Sequence, residues 1–210
     1  TDGRYAAVCD YKTSSPKLSL NEIMEGLSLQ LITYLLALSK TKDTKDLLPA
    51  AMMYIYLHGR PKSISVPPNG IPHPKEKENT NGIFLNDPDV LRTLDSQSGT
   101  DDGFIGVSYV KDGSVKKTSP VLTAEEFEAL KALTEKILIR LYNRLESGEI
   151  AIHPVKNGTL SPCSYCPYRS ICRFDPALPE NSFDYISKVS DKTIREKLDE
   201  EMKRNGKENL

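Results

Sequence analysis

The stretch that decides the fold is Tyr5-Ala6-Ala7-Val8-Cys9-Asp10-Tyr11-Lys12. Successive side chains of an extended strand point to opposite faces, so Asp10 and Lys12 share one face with Ala6 and Val8. A carboxylate and an amine therefore lie side by side at one end of a predicted strand. This pairing suits metal-dependent phosphodiester cleavage, because the carboxylate can hold a hard divalent cation and the ammonium can orient water or stabilise phosphate charge. A solvated ion pair at a strand end is the structural alternative.

The segment after this strand is predicted to be one helix over residues 20–39. Ser19 and Glu22 have the spacing of a capping box. Apolar residues then recur at helical spacing, namely Leu20, Ile23, Met24, Leu27, Leu31, Tyr34, Leu35 and Leu38. Gln30 lies three residues after Leu27 and four before Tyr34, which places its amide at the edge of the apolar stripe. A core glutamine bonded to the backbone is the structural interpretation, and a position beside the strand-end ion pair is the functional one.

The Asp-x-Lys strand and the glutamine and tyrosine that follow it resemble the RecB-like nuclease family, and within it the nuclease region of AddB (RexB) subunits of helicase-nucleases. The similarity is carried by residues 8–15, 18–22 and 26–35, and it continues through 49–56 to the cysteines near the end of the sequence. The resemblance implies an α/β, restriction-endonuclease-like PD-(D/E)xK fold. In that fold a mixed central sheet is flanked by helices, and a C-terminal cysteine segment follows the core.

The resemblance also implies roles for individual residues. It makes Asp10 a metal ligand assisted by the backbone carbonyl of Tyr11, and it makes Lys12 the catalytic lysine. Gln30 and Tyr34 become the Q-x3-Y motif, which lies near the DNA and the active site. The implied activity is that of a DNA exonuclease that uses Mg²⁺ or Mn²⁺ in double-strand break repair and recombination. The implied partners are DNA and an AddA-like helicase-nuclease subunit.

Three of the four cysteines, Cys163, Cys166 and Cys172, form a C-x2-C-x5-C run. This spacing indicates a soft-metal or iron-sulfur site rather than disulfides. Zinc and iron-sulfur clusters both commonly need four ligands, and composition does not choose between them. The resemblance implies a [4Fe-4S] cluster that a distant upstream cysteine completes. We predict that Cys9 is a buried packing residue rather than that fourth ligand, so we expect the cluster to be absent or incomplete in this chain.

We expect three parts in this chain: a nuclease core over 1–160, an iron-sulfur segment over 161–176 and a helical tail over 177–210. Asp2-Gly3 is a hairpin-turn signal with no strand in front of it. The resemblance places the other essential carboxylate of the family on that missing strand. We therefore expect the chain to be a fragment of a larger subunit and to be inactive alone.

The rest of the sequence predicts a succession of further elements. They are a buried strand over 50–57, a long loop over 60–82, a short helix from the N-cap Asp87 to Leu94, a hairpin over 104–119 that turns at 111–113, a long helix from the capping box Thr123/Glu126 to Gly148, and a last helix from 190 or 191 that packs on the domain. His58, after the buried strand, is expected to be structural or exposed.

Composition limits the possible partners. The 28 basic and 29 acidic residues give a net charge of −1, so a nucleic-acid surface has to be local. The lysine groups 40/42/45 and 111/116/117 are candidates, although solvated faces are the commoner reason for such lysines. The sequence has no apolar run of membrane-spanning length and no signal-peptide pattern at its start, which predicts a cytoplasmic protein without a membrane partner.

Two alternatives to an AddB-type nuclease remain open. One is a Cas4-like nuclease, which has the same motifs and a cluster in a compact protein, but the long stretch between Tyr34 and Cys163 argues against it. The other is a non-catalytic scaffold or DNA-binding module on a nuclease-like fold. Retention of Asp10, Lys12 and Gln30 argues against that second alternative.

Overall fold

The computed structural model describes residues 4–14, 16–57, 80–100, 103–158, 161–179 and 181–208, with side chains as far as residue 204. A four-stranded sheet forms its centre, with the strands side by side in chain order: β1 (Tyr5–Lys12), β2 (Leu48–Tyr56), β3 (Thr80–Leu85) and β4 (Val121–Leu122). The β1/β2 and β3/β4 pairs are parallel and the β2/β3 pair is antiparallel, which confirms the predicted mixed sheet.

The helices are distributed along the whole chain. They are α1 (Leu20–Met24), α2 (Gln30–Lys40), α3 (Pro88–Leu94), α4 (Ala124–Glu146), α5 (Arg169–Cys172) and α6 (Asp191–Glu208). Two short strands, β5 (Val155–Lys156) and β6 (Asp184–Tyr185), pair in parallel as a separate small sheet. None of the helices within the described residues is long and apolar enough to cross a membrane.

Local capping signals position two of these helices as predicted. Asp87 accepts hydrogen bonds from the backbone N–H groups of Asp89 and Val90 and starts α3. Thr123 and Glu126 exchange the reciprocal bonds of a capping box at the start of α4. These bonds satisfy backbone N–H groups that have no partner inside the first turn of a helix, so both starts are fixed by local sequence.

The central sheet is covered on both faces. Alternate residues of β2 divide between two apolar clusters, Met52 and Tyr54 in the first and Ala51 and Met53 in the second. The first cluster contains buried residues of α1, α2, α4 and α6, including the fully buried Leu198 of α6. The second is closed by Leu91 of α3 together with Ile105 and Val107. The last helix therefore packs on the domain, as predicted.

The single helix predicted over 20–39 is wrong, because the chain forms two helices there. α1 ends in a Schellman motif: Gly26 N–H donates to Ile23 O at 3.0 Å and Leu27 N–H donates to Glu22 O at 2.8 Å. Gly26 has φ +82° and Ser28 has φ +50°, and neither angle is compatible with a right-handed helix. The Glu22 carboxylate accepts a hydrogen bond from Ser28 Oγ at 2.8 Å.

Two further predictions need correction. The 60–82 loop was predicted too long, since Thr80–Gly82 belong to β3, and β3 itself was not predicted; His58, Asp2-Gly3 and residues 60–79 of that loop lie outside the described residues. The 104–119 hairpin is reduced to a single bridge between Tyr109 and Val115. Side chains replace the ladder there, because Ser119 Oγ bonds to both the N–H and the C=O of Ser108.

Candidate active site

The end of β1 carries the predicted acidic and basic pair. Asp10 and Lys12 point to the face of the sheet that holds the first apolar cluster, two residues beyond the buried Val8. Asp10 Oδ2 and Lys12 Nζ lie 2.6 Å apart, and their side chains remain 24% and 30% exposed. The pair is therefore held by a buried strand but remains within reach of solvent.

The first turn of α2 brings two more predicted residues to the same place. Lys12 Nζ donates a hydrogen bond to Gln30 Oε1 at 3.1 Å, and Gln30 Nε2 donates one to Tyr34 OH at 3.3 Å. Gln30 is the first residue of α2 and is exposed, rather than lying at the edge of a stripe in the middle of a long helix. The four side chains Asp10, Lys12, Gln30 and Tyr34 thus form one continuous line of polar contacts.

The electrostatics of this line favour a charged lysine. The hydrogen bond to the Asp10 carboxylate raises the pKa of Lys12 above its ordinary value. At neutral pH the side chain is therefore an ammonium, which can stabilise negative charge but cannot accept a proton. Asp10 Oδ2 is a buried atom and, apart from this ion pair, has no hydrogen-bond partner among the described residues. That oxygen has unused acceptor capacity facing the site.

Tyr54 also belongs to this neighbourhood, and the sequence analysis missed its connection to the site. It pairs with Asp10 in the β1/β2 register, and its ring centroid lies 5.2 Å from Lys12 Nζ, within cation–π range. Tyr54 is 4% exposed, and burial raises the pKa of its hydroxyl. Within the continuously apolar run 50–57 it was indistinguishable from a packing residue, since its contact with Lys12 depends on the strand register.

The donor set at the strand end suits a hard divalent cation only in part. The carboxylate of Asp10 and the backbone carbonyl of Tyr11 are oxygen ligands of the kind that Mg²⁺ and Mn²⁺ prefer. Over the described part of the chain, however, no group of three or more His, Cys, Asp or Glu side chains has a metal-binding arrangement. The described residues therefore supply one carboxylate to such a site.

The C-terminal cysteines lie in a separate, partly exposed segment. Cys163 is in a 3-10 turn (Pro162–Ser164), Cys166 is just beyond it and Cys172 is the last residue of α5. All three are free thiols, and the structure does not gather them into a metal-binding group. Their assignment as cluster ligands stays a prediction.

The prediction that Cys9 is buried is wrong. Cys9 is exposed, as are Ala7 and Tyr11 on the same face of β1. β1 is the edge strand of the described sheet, and the second apolar cluster covers the equivalent face of β2 and β3 without extending over β1. Cys9 nevertheless lies next to Asp10 on the central sheet, apart from the C-terminal cysteine segment in the chain.

A comparison with protein families decides the class of protein to which this site belongs. Residues 1–173 match the family model described as the PD-(D/E)XK nuclease superfamily. The chain belongs to this superfamily. Nucleases of this superfamily generally use a divalent metal ion, in agreement with the oxygen ligands at the end of β1. The predicted resemblance to a RecB-like PD-(D/E)xK nuclease and the predicted fold class are both confirmed.

Individual relatives of this PD-(D/E)XK chain carry a more specific name, that of the B subunit of an ATP-dependent helicase/deoxyribonuclease. The chain is 29% identical over 210 residues to the protein of this name from Bacillus thuringiensis (strain Al Hakam), covering 96% of this chain and 18% of that protein. It is 32% identical over 201 residues to the protein of the same name from Desulforamulus reducens, covering 90% of this chain and 17% of that protein. The chain thus spans less than a fifth of the length of these relatives.

Proposed function

We propose that this chain is the nuclease domain of the B subunit of an ATP-dependent helicase/deoxyribonuclease and that it hydrolyses DNA phosphodiester bonds. The observation that carries the proposal is the line of contacts from Asp10 through Lys12 and Gln30 to Tyr34, on the scaffold of a nuclease superfamily. The names of the relatives support the choice of DNA. The partners are then DNA and an AddA-like helicase-nuclease subunit, and the setting is double-strand break repair in the cytoplasm.

Each residue of the line has a distinct task in this proposal. Asp10 and the carbonyl of Tyr11 hold Mg²⁺ or Mn²⁺, for which the unused acceptor capacity of Asp10 Oδ2 is the structural support. When bound, such an ion supplies Lewis-acid stabilisation of charge on the phosphate. Lys12 contributes a permanent positive charge beside the scissile phosphate, or orients water there. Gln30 fixes the position of the Lys12 ammonium, and Tyr34 fixes the amide of Gln30.

The C-terminal cysteines have a structural task in the same proposal. Cys163, Cys166 and Cys172 supply three of the four ligands of a [4Fe-4S] cluster, with the fourth outside this chain. Free and partly exposed thiols are chemically suited to this role. Anaerobic purification of the complete protein that the gene encodes should yield four iron and four sulfide per chain, and Cys166→Ser should lose them. Retention of both by Cys166→Ser would contradict the assignment.

The proposed activity is tested on the complete protein that the gene encodes. We expect Mg²⁺-dependent degradation of end-labelled single-stranded DNA, with losses of roughly 100-fold or more in Asp10→Ala and in Lys12→Ala. Asp43→Ala and Lys45→Ala are matched controls, because both residues lie in the connector after α2, away from the line of contacts. Full activity in the Asp10 and Lys12 variants would refute these roles and favour a scaffold or DNA-binding module.

A further inference from the structure

A groove adjoins the proposed active site, and three separate segments of the chain form it. Its lining includes Lys17, Asn21, Asn81, Lys117, Asn157 and Lys188. Lys17 follows β1, Lys117 lies between the Tyr109/Val115 bridge and β4, and Lys188 lies between β6 and α6. Residues that are remote in sequence therefore bring three lysines to one concave surface.

Strand register fixes how far this groove lies from the site. Tyr54 of β2 pairs with Asp10 on one side and with Asn81 of β3 on the other, so the three residues form one row across the sheet. Adjacent strands are about 4.8 Å apart, which places Asn81 roughly 10 Å from Asp10. The Asn81 side chain also accepts a hydrogen bond from the backbone N–H of Leu18 and so pins the segment after β1 against the groove. The groove is thus one or two nucleotide lengths from Asp10.

The lysines of the groove are available for a ligand. Lys17, Lys117 and Lys188 are exposed, and none of them has an ion-pair partner among the described residues. Arg195, which also lines the groove, is bound instead by Glu126 and by the Val121 carbonyl. Three unpaired positive charges in one groove attract an anion with several charges along its length.

The polar side chains of the groove point to the same kind of ligand. Asn21 Nδ2 donates to the Ser187 carbonyl at 3.1 Å, and this bond ties the segment of Lys188 to α1. Asn21 Oδ1 is buried and has no hydrogen-bond partner among the described residues. The groove therefore offers an unused acceptor as well as unpaired ammonium groups. Its acidic residues are Glu22, whose carboxylate is bonded to Ser28, and Asp191.

We propose that this groove binds the phosphate backbone of the DNA as it approaches Asp10. The inference rests on the proposed nuclease function for the identity of the ligand. Lysine ammonium groups bind phosphates as point charges, and a row of them follows a backbone without reading its sequence. Continuity with the Asp10–Tyr54–Asn81 row makes the groove a track into the site rather than a separate anion site.

The test measures DNA binding and its salt dependence in the complete protein carrying Asp10→Ala, so that no strand is cut. The groove variant combines Lys17→Gln, Lys117→Gln and Lys188→Gln. The matched control combines Lys42→Gln, Lys45→Gln and Lys203→Gln, three exposed lysines outside the groove. The probe is a 20-nucleotide fluorescent oligodeoxythymidylate read by anisotropy, and a second arm uses a duplex of equal length.

The expected effect follows from counterion release. Each phosphate contact contributes about 0.7 to the salt slope of log K for a single strand and about 0.9 for duplex DNA. The groove variant should lower the single-strand slope by about 2 and the affinity by roughly 100-fold at 0.1 M salt. Equal changes in the groove variant and the control would overturn the proposal. The arm that loses the larger slope identifies the bound form of DNA, and loss in neither arm overturns the proposal.

Cleavage kinetics separate this inference from the proposed function. With Asp10 restored, the groove variant should raise the KM for DNA and leave kcat within about twofold, because its residues hold the backbone away from the reacting phosphate. A protein that cuts DNA normally with Asp10→Ala, yet binds DNA weakly with the groove substitutions, would refute the catalytic assignment and retain the groove. Thermal unfolding at an unchanged temperature verifies that the six lysine substitutions leave the fold intact.

Discussion

The contacts around Lys12 predict a hierarchy among three side chains. The ammonium has two acceptors, Asp10 Oδ2 at 2.6 Å and Gln30 Oε1 at 3.1 Å. Tyr34 bonds to Gln30 at 3.3 Å, and no hydrogen bond joins Tyr34 to Lys12 or Asp10 directly. If the purpose of the line is to hold the ammonium in place, Tyr34 acts on the reaction only through Gln30.

The geometry sets the size of each effect. Gln30→Ala removes a hydrogen bond to a charged donor, and because Gln30 is exposed the loss is about 1 kcal/mol, or roughly fivefold in kcat. Tyr34→Phe removes one long neutral bond, about 0.5 kcal/mol or roughly twofold. Lys12→Ala removes the charge itself and should cost roughly 100-fold or more. Because Tyr34 acts through Gln30, the double variant Gln30→Ala/Tyr34→Phe should be no slower than Gln30→Ala.

The assay is a double-mutant cycle on Mg²⁺-dependent cleavage of single-stranded DNA by the complete protein, with kcat and KM separated. We expect the changes in kcat, a KM within about twofold, and a coupling of about 0.5 kcal/mol between Gln30 and Tyr34. Tyr142→Phe is the control, because this tyrosine of α4 is also exposed and makes no contact with the line. Additive losses accompanied by a higher KM would mean that Gln30 and Tyr34 contact DNA independently, and the reasoning above would be refuted.

Three other predictions concern the neighbourhood and its scaffold. Tyr54→Phe should keep the ring beside the ammonium and remain within about twofold of the parent in kcat, whereas Tyr54→Leu should lose roughly fivefold; equal losses would show that the ring has no part in holding it. Leu198→Ala should lower the free energy of unfolding by about 3 kcal/mol in denaturant titrations, against less than about 0.5 kcal/mol for the exposed Lys197→Ala. Arg144 holds the pKa of Glu149 below its usual range, so this pair stabilises the fold above the ordinary glutamate pKa and the stabilisation disappears as the pH falls through the folded value; NMR titration should show the midpoint rising in Arg144→Gln, and an unchanged midpoint would contradict the pairing.

Elements with a local physical cause were predictable from the sequence. β1 has the predicted bounds because its alternating side chains suit a half-buried strand. α3 and α4 begin where predicted because Asp87 and the Thr123/Glu126 pair satisfy backbone N–H groups within a few residues. None of these signals depends on a distant part of the chain.

Elements that depend on distant partners were missed or misplaced. β3 contains Gly82, which lowers strand propensity, and its place in the sheet depends on β2: a Cβ on Gly82 would approach Met53 Cβ to 2.5 Å. The exposure of Cys9 follows from β1 being an edge strand, and the order of strands is a property of the whole sheet. Tyr54 escaped notice for the same reason, since its contact with Lys12 depends on the parallel register of β1 and β2.

The break between α1 and α2 explains why membership of the site was predictable although its geometry was not. Periodicity in 20–39 remained helical across the break, so only Gly26 signalled an end to α1, and Ser28 gave no signal for its positive φ. Because the chain turns between these two residues, Gln30 becomes the first residue of α2 and lies at the end of β1. Tyr34 follows one turn later on the same side of α2 and reaches the Gln30 amide. The four-residue spacing of the motif is therefore required by contact within α2, whereas the contact with Lys12 is made by the turn that precedes that helix.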